Sequence, residues 1–227
     1  MNNRMLWLLF ALLITLGGCA ISSQTRQSVY PDIYTEKPVS ILILPPINNS
    51  GAADAKEYFA CSLAEALALV GYYPLPVEAV FSILREEGMY DTETITPVVL
   101  TNLKKHFGAD AVLYSTINKW DKKWFLIEGS LIVESSLALV STLTMETIWD
   151  YETTIEISLD SSSDNLLFAV LESAVKTASE DYFPNTREAN IKTMQHALPY
   201  GKYHPEHDQD NEKPASASKK GVITIKK

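Results

Sequence analysis

Apolar residues change their spacing at Asp110. Upstream they recur every three or four positions, the period of a helix with one buried stripe. Downstream they alternate, the period of a half-buried strand. A chain that does both must lay helices on a sheet, because neither a stripe nor a pleated face is stable uncovered. The helical half starts at Asp54, a capping residue, and Phe59, Leu63, Ala66, Leu67 and Val70 share one arc. Shorter helices are expected from Glu78 to Glu87, with Val80, Phe81 and Leu84 inward, and from Pro97, with Val99, Leu103 and Phe107 inward. Val39 to Leu44 is rich in branched residues and reads as a buried strand. Tyr72 to Val77 reads as an edge strand, because two prolines limit its pairing. Beyond Asp110, strands are expected over Ala111 to Ile117, Trp124 to Val140 and Ile148 to Ile157, with a turn at Asp121-Lys122-Lys123. A helix carrying Leu166, Val170 and Leu171 follows, Pro184 interrupts it, and Thr186 to Leu198 forms a last helix. The fold class is therefore α/β, a single domain with a mixed sheet and flanking helices.

The amino end has a different logic. One positive charge, Arg4, precedes an apolar run from Met5 to Leu16. The run is too short to span about 30 Å of hydrocarbon and has the proportions of a signal-peptide core. It ends in Leu16-Gly17-Gly18-Cys19, small residues that let the backbone enter a peptidase cleft extended. The pattern resembles the lipobox of bacterial lipoproteins, in which the cysteine is acylated and the signal is cut before it. The alternative is an ordinary signal peptide, or a short anchor, with an incidental cysteine. On the lipobox reading, residues 1–18 are a signal peptide and residues 19–37 a lipidated tether. Residues 38–200 are then the α/β periplasmic domain and residues 201–227 a disordered polar tail. Lipoprotein sorting rules, carried over with that resemblance, read Ala20 as directing the protein to the outer membrane, on its periplasmic face.

A formal charge of -9, from 28 acidic and 19 basic residues, argues against gripping nucleic-acid phosphates. With Cys19 acylated, Cys61 is the remaining thiol, set between Glu57 and Glu65, carboxylates that would raise its pKa. His196, His204 and His207 lack a helix that fixes two of them on one face, and His106 has no evident partner for catalysis. No metal, cofactor or catalytic residue is expected. Asn48, Asn49, Ser50 and Gly51 form a turn between a strand and a helix, a possible ligand or partner loop through exposed N–H groups. The string lacks the lysine of a phosphate loop. Trp120 and Trp124 lie near Lys119, Lys122 and Lys123, a combination that marks either a partner contact or the core and rim of a hairpin.

Three strings carry a wider resemblance: Pro38 to Ser50, Gly71 to Val77 and Phe107 to Tyr114. With the lipobox at Cys19 they resemble a bacterial lipoprotein family, domain-of-unknown-function family seven-nine-nine. The resemblance implies a fold similar to the amino-terminal domain of the Tol-system propeller protein. It also implies joint work with a curli-channel-like lipoprotein at the outer membrane, and it supplies no catalytic residues. A missing glycine near residue 144 and the tail after Gly201 depart from the family pattern. The expectation is a non-enzymatic docking or assembly factor of the cell envelope, held on the outer membrane by acyl chains (palmitate among them). The alternative is a binding module for a glycan or peptidoglycan fragment, seated near Asn48 to Gly51.

Overall fold

The computed structural model describes residues 24–51, 55–89, 92–95, 97–124, 129–159, 182–216 and 218–226. Strands β1 (Ser40–Ile43), β2 (Ile47–Asn48), β3 (Tyr73–Pro74), β4 (Ala111–Trp124), β5 (Gly129–Ser141), β6 (Thr147–Leu159) and β7 (Lys220–Lys226) make one mixed sheet. Its order is β3-β1-β4-β5-β6-β7, with β2 pairing β4. β1 lies parallel to both β3 and β4, β4-β5-β6 is antiparallel, and β7 is parallel to β6. The expected α/β class with a mixed sheet is what forms.

Among the described residues the α-helices are α1 (Arg26–Val29), α2 (Pro31–Glu36), α3 (Ala55–Leu69), α4 (Val77–Glu86), α5 (Pro97–Phe107) and α6 (Tyr182–Ala197). The stripe read from the sequence of α3 is its core face: Phe59, Leu63, Ala66, Leu67 and the adjoining Val70 are fully buried. α3 packs along α6, and α6 lies against β6 and β7. One sheet face is thereby covered, with Val133, Leu137, Leu139, Tyr151 and Ile155 buried beneath it. The other face carries Glu134, Ser136, Glu152 and Thr154, which stay partly or fully exposed. In α5 the inward residues are Leu100 and Leu103, while Val99 and Phe107 sit at the rim of the core.

Pro74 and Pro76 hold β3 to two residues, as two missing or misdirected N–H groups should. The turn expected at Asp121-Lys122-Lys123 does not form, because β4 runs on to Trp124, paired with β5 throughout. Its lysines are spaced along one long hairpin arm. The link from β5 to β6 turns at Met145, which takes a left-handed φ of 64°. The Ser141 hydroxyl fastens it, accepting from Leu143 N at 3.1 Å and Thr144 N at 3.2 Å and donating to Glu36.

Two boundaries differ from the sequence reading. The tether to residue 37 is folded from Gln24 onward: α1 and α2 form, and Tyr30 and Ile33 enter the core. Residues 201–216 make a series of hydrogen-bonded turns, and Lys220–Lys226 is a strand. Both segments are polar on average, yet a few buried residues organise them: Arg26 from the first, Gly201 and Asp210 from the second. Gly201 and Gly71 meet backbone to backbone, and a Cβ on Gly201 would stand 2.5 Å from the Gly71 carbonyl oxygen. The expected signal peptide, Cys19 and the helix expected around Leu166 and Val170 lie outside the described residues.

Candidate functional site

The start of the described chain is clasped by the segment that precedes β7. Arg26 N donates to Lys213 O at 2.9 Å, Gln27 N to Asn211 O at 3.1 Å and Ala215 N to Gln24 O at 2.8 Å. Inside this short ladder the Arg26 guanidinium donates to Asp210 at 2.8 Å and to the carbonyls of Gln195, His196 and Leu198. Those carbonyls belong to the last turn of α6 and its exit, where a helix leaves acceptors unused and favours a cation. Tyr200 stacks on His204, and Lys213 sits 4.6 Å from the Tyr200 ring centre.

The loop Asn48 to Gly51 is closed on itself. Asn48 Oδ1 accepts from the Ser50 N–H at 3.0 Å and from the Ser50 hydroxyl at 2.6 Å, the usual turn chemistry of asparagine. Asn48 also belongs to β2, and Asn49 N donates to Ile117 O, so the loop is tied to β4. Two hollows lined by described residues lie elsewhere. A shallow one of about 390 Å³ sits on the open sheet face, lined by Asn118, Glu134, Glu152, Thr154 and Lys220 among others. A groove of about 420 Å³ runs between α4 and α5, with Ile83, Met89, Val99 and Phe107 in its walls and His106 at its edge.

Of the two readings of Trp120, partner contact or core, the structure takes the second: 7% of its surface is exposed. A bulge between Ile117 and Lys119 shifts the register, so Trp120 lies opposite Val133 on the covered face. One extra residue reverses which side every later residue faces. The side chain of Trp124 lies outside the described set.

Cys61 is exposed on α3, and its thiol is pushed up by partial burial first, then by Glu78 and Glu57. Glu65, expected to add to this, is engaged by Arg187, whose Nε donates to it at 2.6 Å. His204 Nδ1 accepts from Glu206 N, and His207 Nδ1 lies 2.9 Å from Tyr200 O, so both imidazoles are tied to backbone. Among the described residues no group of three His, Cys, Asp or Glu could hold a metal ion. No helix among them is long and apolar enough to cross a membrane.

The sequence reading missed β7. Its signal was present in the alternation of Val222, Ile223, Thr224 and Ile225 between lysines, diluted by the charged segment before it. β7 is the outermost strand, and Val222 is 70% exposed on it.

Residues 29–203 match the model of the family described as "Putative lipoprotein GNA1162-like". A curated relative from Neisseria meningitidis serogroup B (strain ATCC BAA-335 / MC58), "Putative lipoprotein NMB1124/NMB1162", is 26% identical over 165 residues, 73% of this chain and 76% of its own. The chain is also similar to the crystal structure of lipoprotein GNA1162 from Neisseria meningitidis. That match has 25% identity and a TM-score of 0.49, over 63% of this chain and 100% of the other. The LpoB C-terminal domain from Salmonella enterica matches at 18% identity and a TM-score of 0.39, over 57% of this chain and 94% of the other.

Proposed function

The chain belongs to the GNA1162-like lipoprotein family, and from that membership we propose a lipid-anchored protein of the cell envelope that works by docking rather than by catalysis. The observation that carries this reading is the clasp. Gln24 is already bonded to Ala215, so the peptide from Cys19 to Gln24 is all that separates the acylated residue from the folded domain. A fully extended chain covers at most about 3.5 Å per residue, so that link spans no more than about 18 Å. The domain is held against the bilayer instead of ranging over the periplasm, and what it meets must itself be close to the membrane. Acyl chains on Cys19, at about 0.8 kcal/mol per buried methylene, would hold it there almost permanently. Ala20 directs it to the outer membrane, periplasmic face, and the partner is an envelope protein. A curli-channel-like lipoprotein is the first to examine. The likeness in fold to the Tol-system propeller protein's amino-terminal domain belongs to the same proposal.

The test is fractionation of cells making the wild-type chain or Cys19→Ser. The wild-type chain sediments with outer membranes, and globomycin makes its precursor accumulate. Cys19→Ser leaves that fraction. A wild-type chain that stays soluble, with a free amino end and no response to globomycin, overturns the anchor. Site-directed photo-crosslinking in cells then tests docking. Recurrent cross-links to one envelope protein support it, and their absence from every exposed position of the domain counts against it.

A further inference from the structure

We propose that the end of the sheet where its parallel strands begin lies on the bilayer, seated in the headgroup layer by Leu69, Tyr73, Leu143 and Tyr203. The inference rests on the lipid anchor proposed above and names the surface that the anchor turns to the membrane. β3 and β4 run parallel to β1, and β6 runs the same way because β5 reverses twice between it and β4. All four strands therefore start at one end. Tyr73 opens β3, and Leu69 closes α3 just before it. Leu143 lies in the link between the end of β5 and the start of β6. Tyr203 is fixed beside Leu69 and Tyr73, because its N–H donates to Gly71 O at 2.9 Å. All four side chains are exposed, although their neighbours Val70 and Tyr72 are buried.

The start of the described chain arrives at the same end. Glu36, which closes α2, accepts from the Thr144 hydroxyl at 2.8 Å and from that of Ser141, at the β5–β6 link. Arg26, which opens α1, reaches Leu198 O just past α6, and Gly201 N, three residues on, donates to Val70 O. The link from Cys19 to Gln24 covers at most about 18 Å, so acyl chains in the bilayer bring this end of the domain to it first. Tyrosine suits that place, with an apolar ring and a hydroxyl that stays wet. Lys202, exposed next to Tyr203, can lay its stem on apolar surface and keep its charge among headgroups. Three more lysines here are answered within the protein: Lys37 by Asp208, Lys213 by Glu206 and Lys219 by Asp150. The seat is therefore apolar and needs no anionic lipid.

The experiment uses the full acylated chain, reconstituted in phosphatidylcholine vesicles, with the photo-cross-linker p-benzoylphenylalanine at one position at a time. Val222 is the control. It matches Leu143 in exposure, 70% against 71%, but pairs with Thr154, seven residues along β6 from Thr147 and so about 23 Å from that end. Irradiation should give phospholipid adducts at Tyr73, Leu143 and Tyr203 at least about tenfold more often than at Val222, at low and high salt alike. Leu143→Ser combined with Tyr203→Ser empties no core position. It should cut the adducts at Tyr73 several-fold while the chain still floats with the vesicles. A chain that floats yet gives no lipid adducts at the three positions, or as many at Val222, overturns the seat and leaves the anchor standing. Adducts lost at high salt also overturn it, since charge then holds the contact. So do cross-links from Leu143 and Tyr203 in cells that reach protein and no lipid. A chain that fails to float overturns the anchor, and the seat with it.

Discussion

Arg26 and Asp210 stand 184 positions apart and form a buried ion pair at 2.8 Å, with side chains 5% and 0% exposed. Asp210 Oδ2 accepts from Tyr200 N as well, at 2.9 Å, and the guanidinium lies 5.1 Å from the Tyr200 ring centre. The pair joins the segment around α1 to the end of α6 and to the turns before β7, which lie far along the chain from it. It is what converts two polar stretches into part of the domain.

Removing one partner leaves a buried charge without compensation, and such losses run to about 3–5 kcal/mol. Asp210→Asn should therefore lower unfolding stability by about 3 kcal/mol in urea titration. Arg26→Met combined with Asp210→Leu should recover much of that, since an apolar pair of similar volume is often neutral. A double variant as unstable as the sum of the single variants would show that the pair has no such coupling.

Gly221 is a glycine because Tyr151 occupies its side-chain space. A Cβ there would lie 2.1 Å from the Tyr151 hydroxyl oxygen. Tyr151 in turn stacks on Trp149, with ring centres 6.2 Å apart, so it cannot retreat freely. Gly221→Ala should cost about 1–3 kcal/mol, the usual range for overpacking. Hydrogen exchange should place the loss in β7 amides first, since among the described residues β6 alone pairs with β7. Uniform loss of protection across β4 and β5 instead would mean that the ring moves and carries the sheet with it.

Sequence pattern located the core well where one residue type repeats over several turns. The α3 stripe and the alternation of β6 are of that kind, because burial there is shared by many apolar side chains. It failed where a single residue decides. The bulge after Ile117 reverses the side that Trp120 faces, and nothing in composition announces one extra residue. Asp210 organises the segment after Gly201 through Arg26 and Tyr200, a long-range fact invisible to any local window. The loop at Asn48 was legible as a turn, but its inward bonding to Ser50 was not.

Acid should loosen the start of β1 through Asp110. Burial alone would raise this carboxyl. Donors from Ser40 N at 2.9 Å, Val39 N at 3.0 Å and the Ser40 hydroxyl outweigh it and hold it below its ordinary value of 3.8. A carboxyl depressed in the folded state contributes stability that is present above its unfolded pKa and lost as pH falls through the folded one. Wild type should therefore lose more stability than Asp110→Asn as pH falls below about 4. Chemical denaturation at stepped pH measures this, and parallel curves for the two proteins would remove Asp110 from the account.

Cys61 should be a slow thiol despite its exposure. Only the thiolate attacks an alkylating reagent, and partial burial, Glu78 and Glu57 all disfavour that form. Replacing Glu78, the larger of the two carboxylate contributions, removes a repulsion without emptying any core position, because Glu78 is exposed. Glu78→Gln should speed iodoacetamide labelling at pH 8 by about twofold, and Glu57→Gln by less. Glu65→Gln should leave the rate unchanged, because Arg187 already answers that carboxylate. Labelling followed by mass spectrometry on the Cys19→Ser chain isolates the one thiol. Acceleration by Glu65→Gln as large as that by Glu78→Gln would show that charge near α3 acts diffusely and that the Arg187 pair does not shield the thiol.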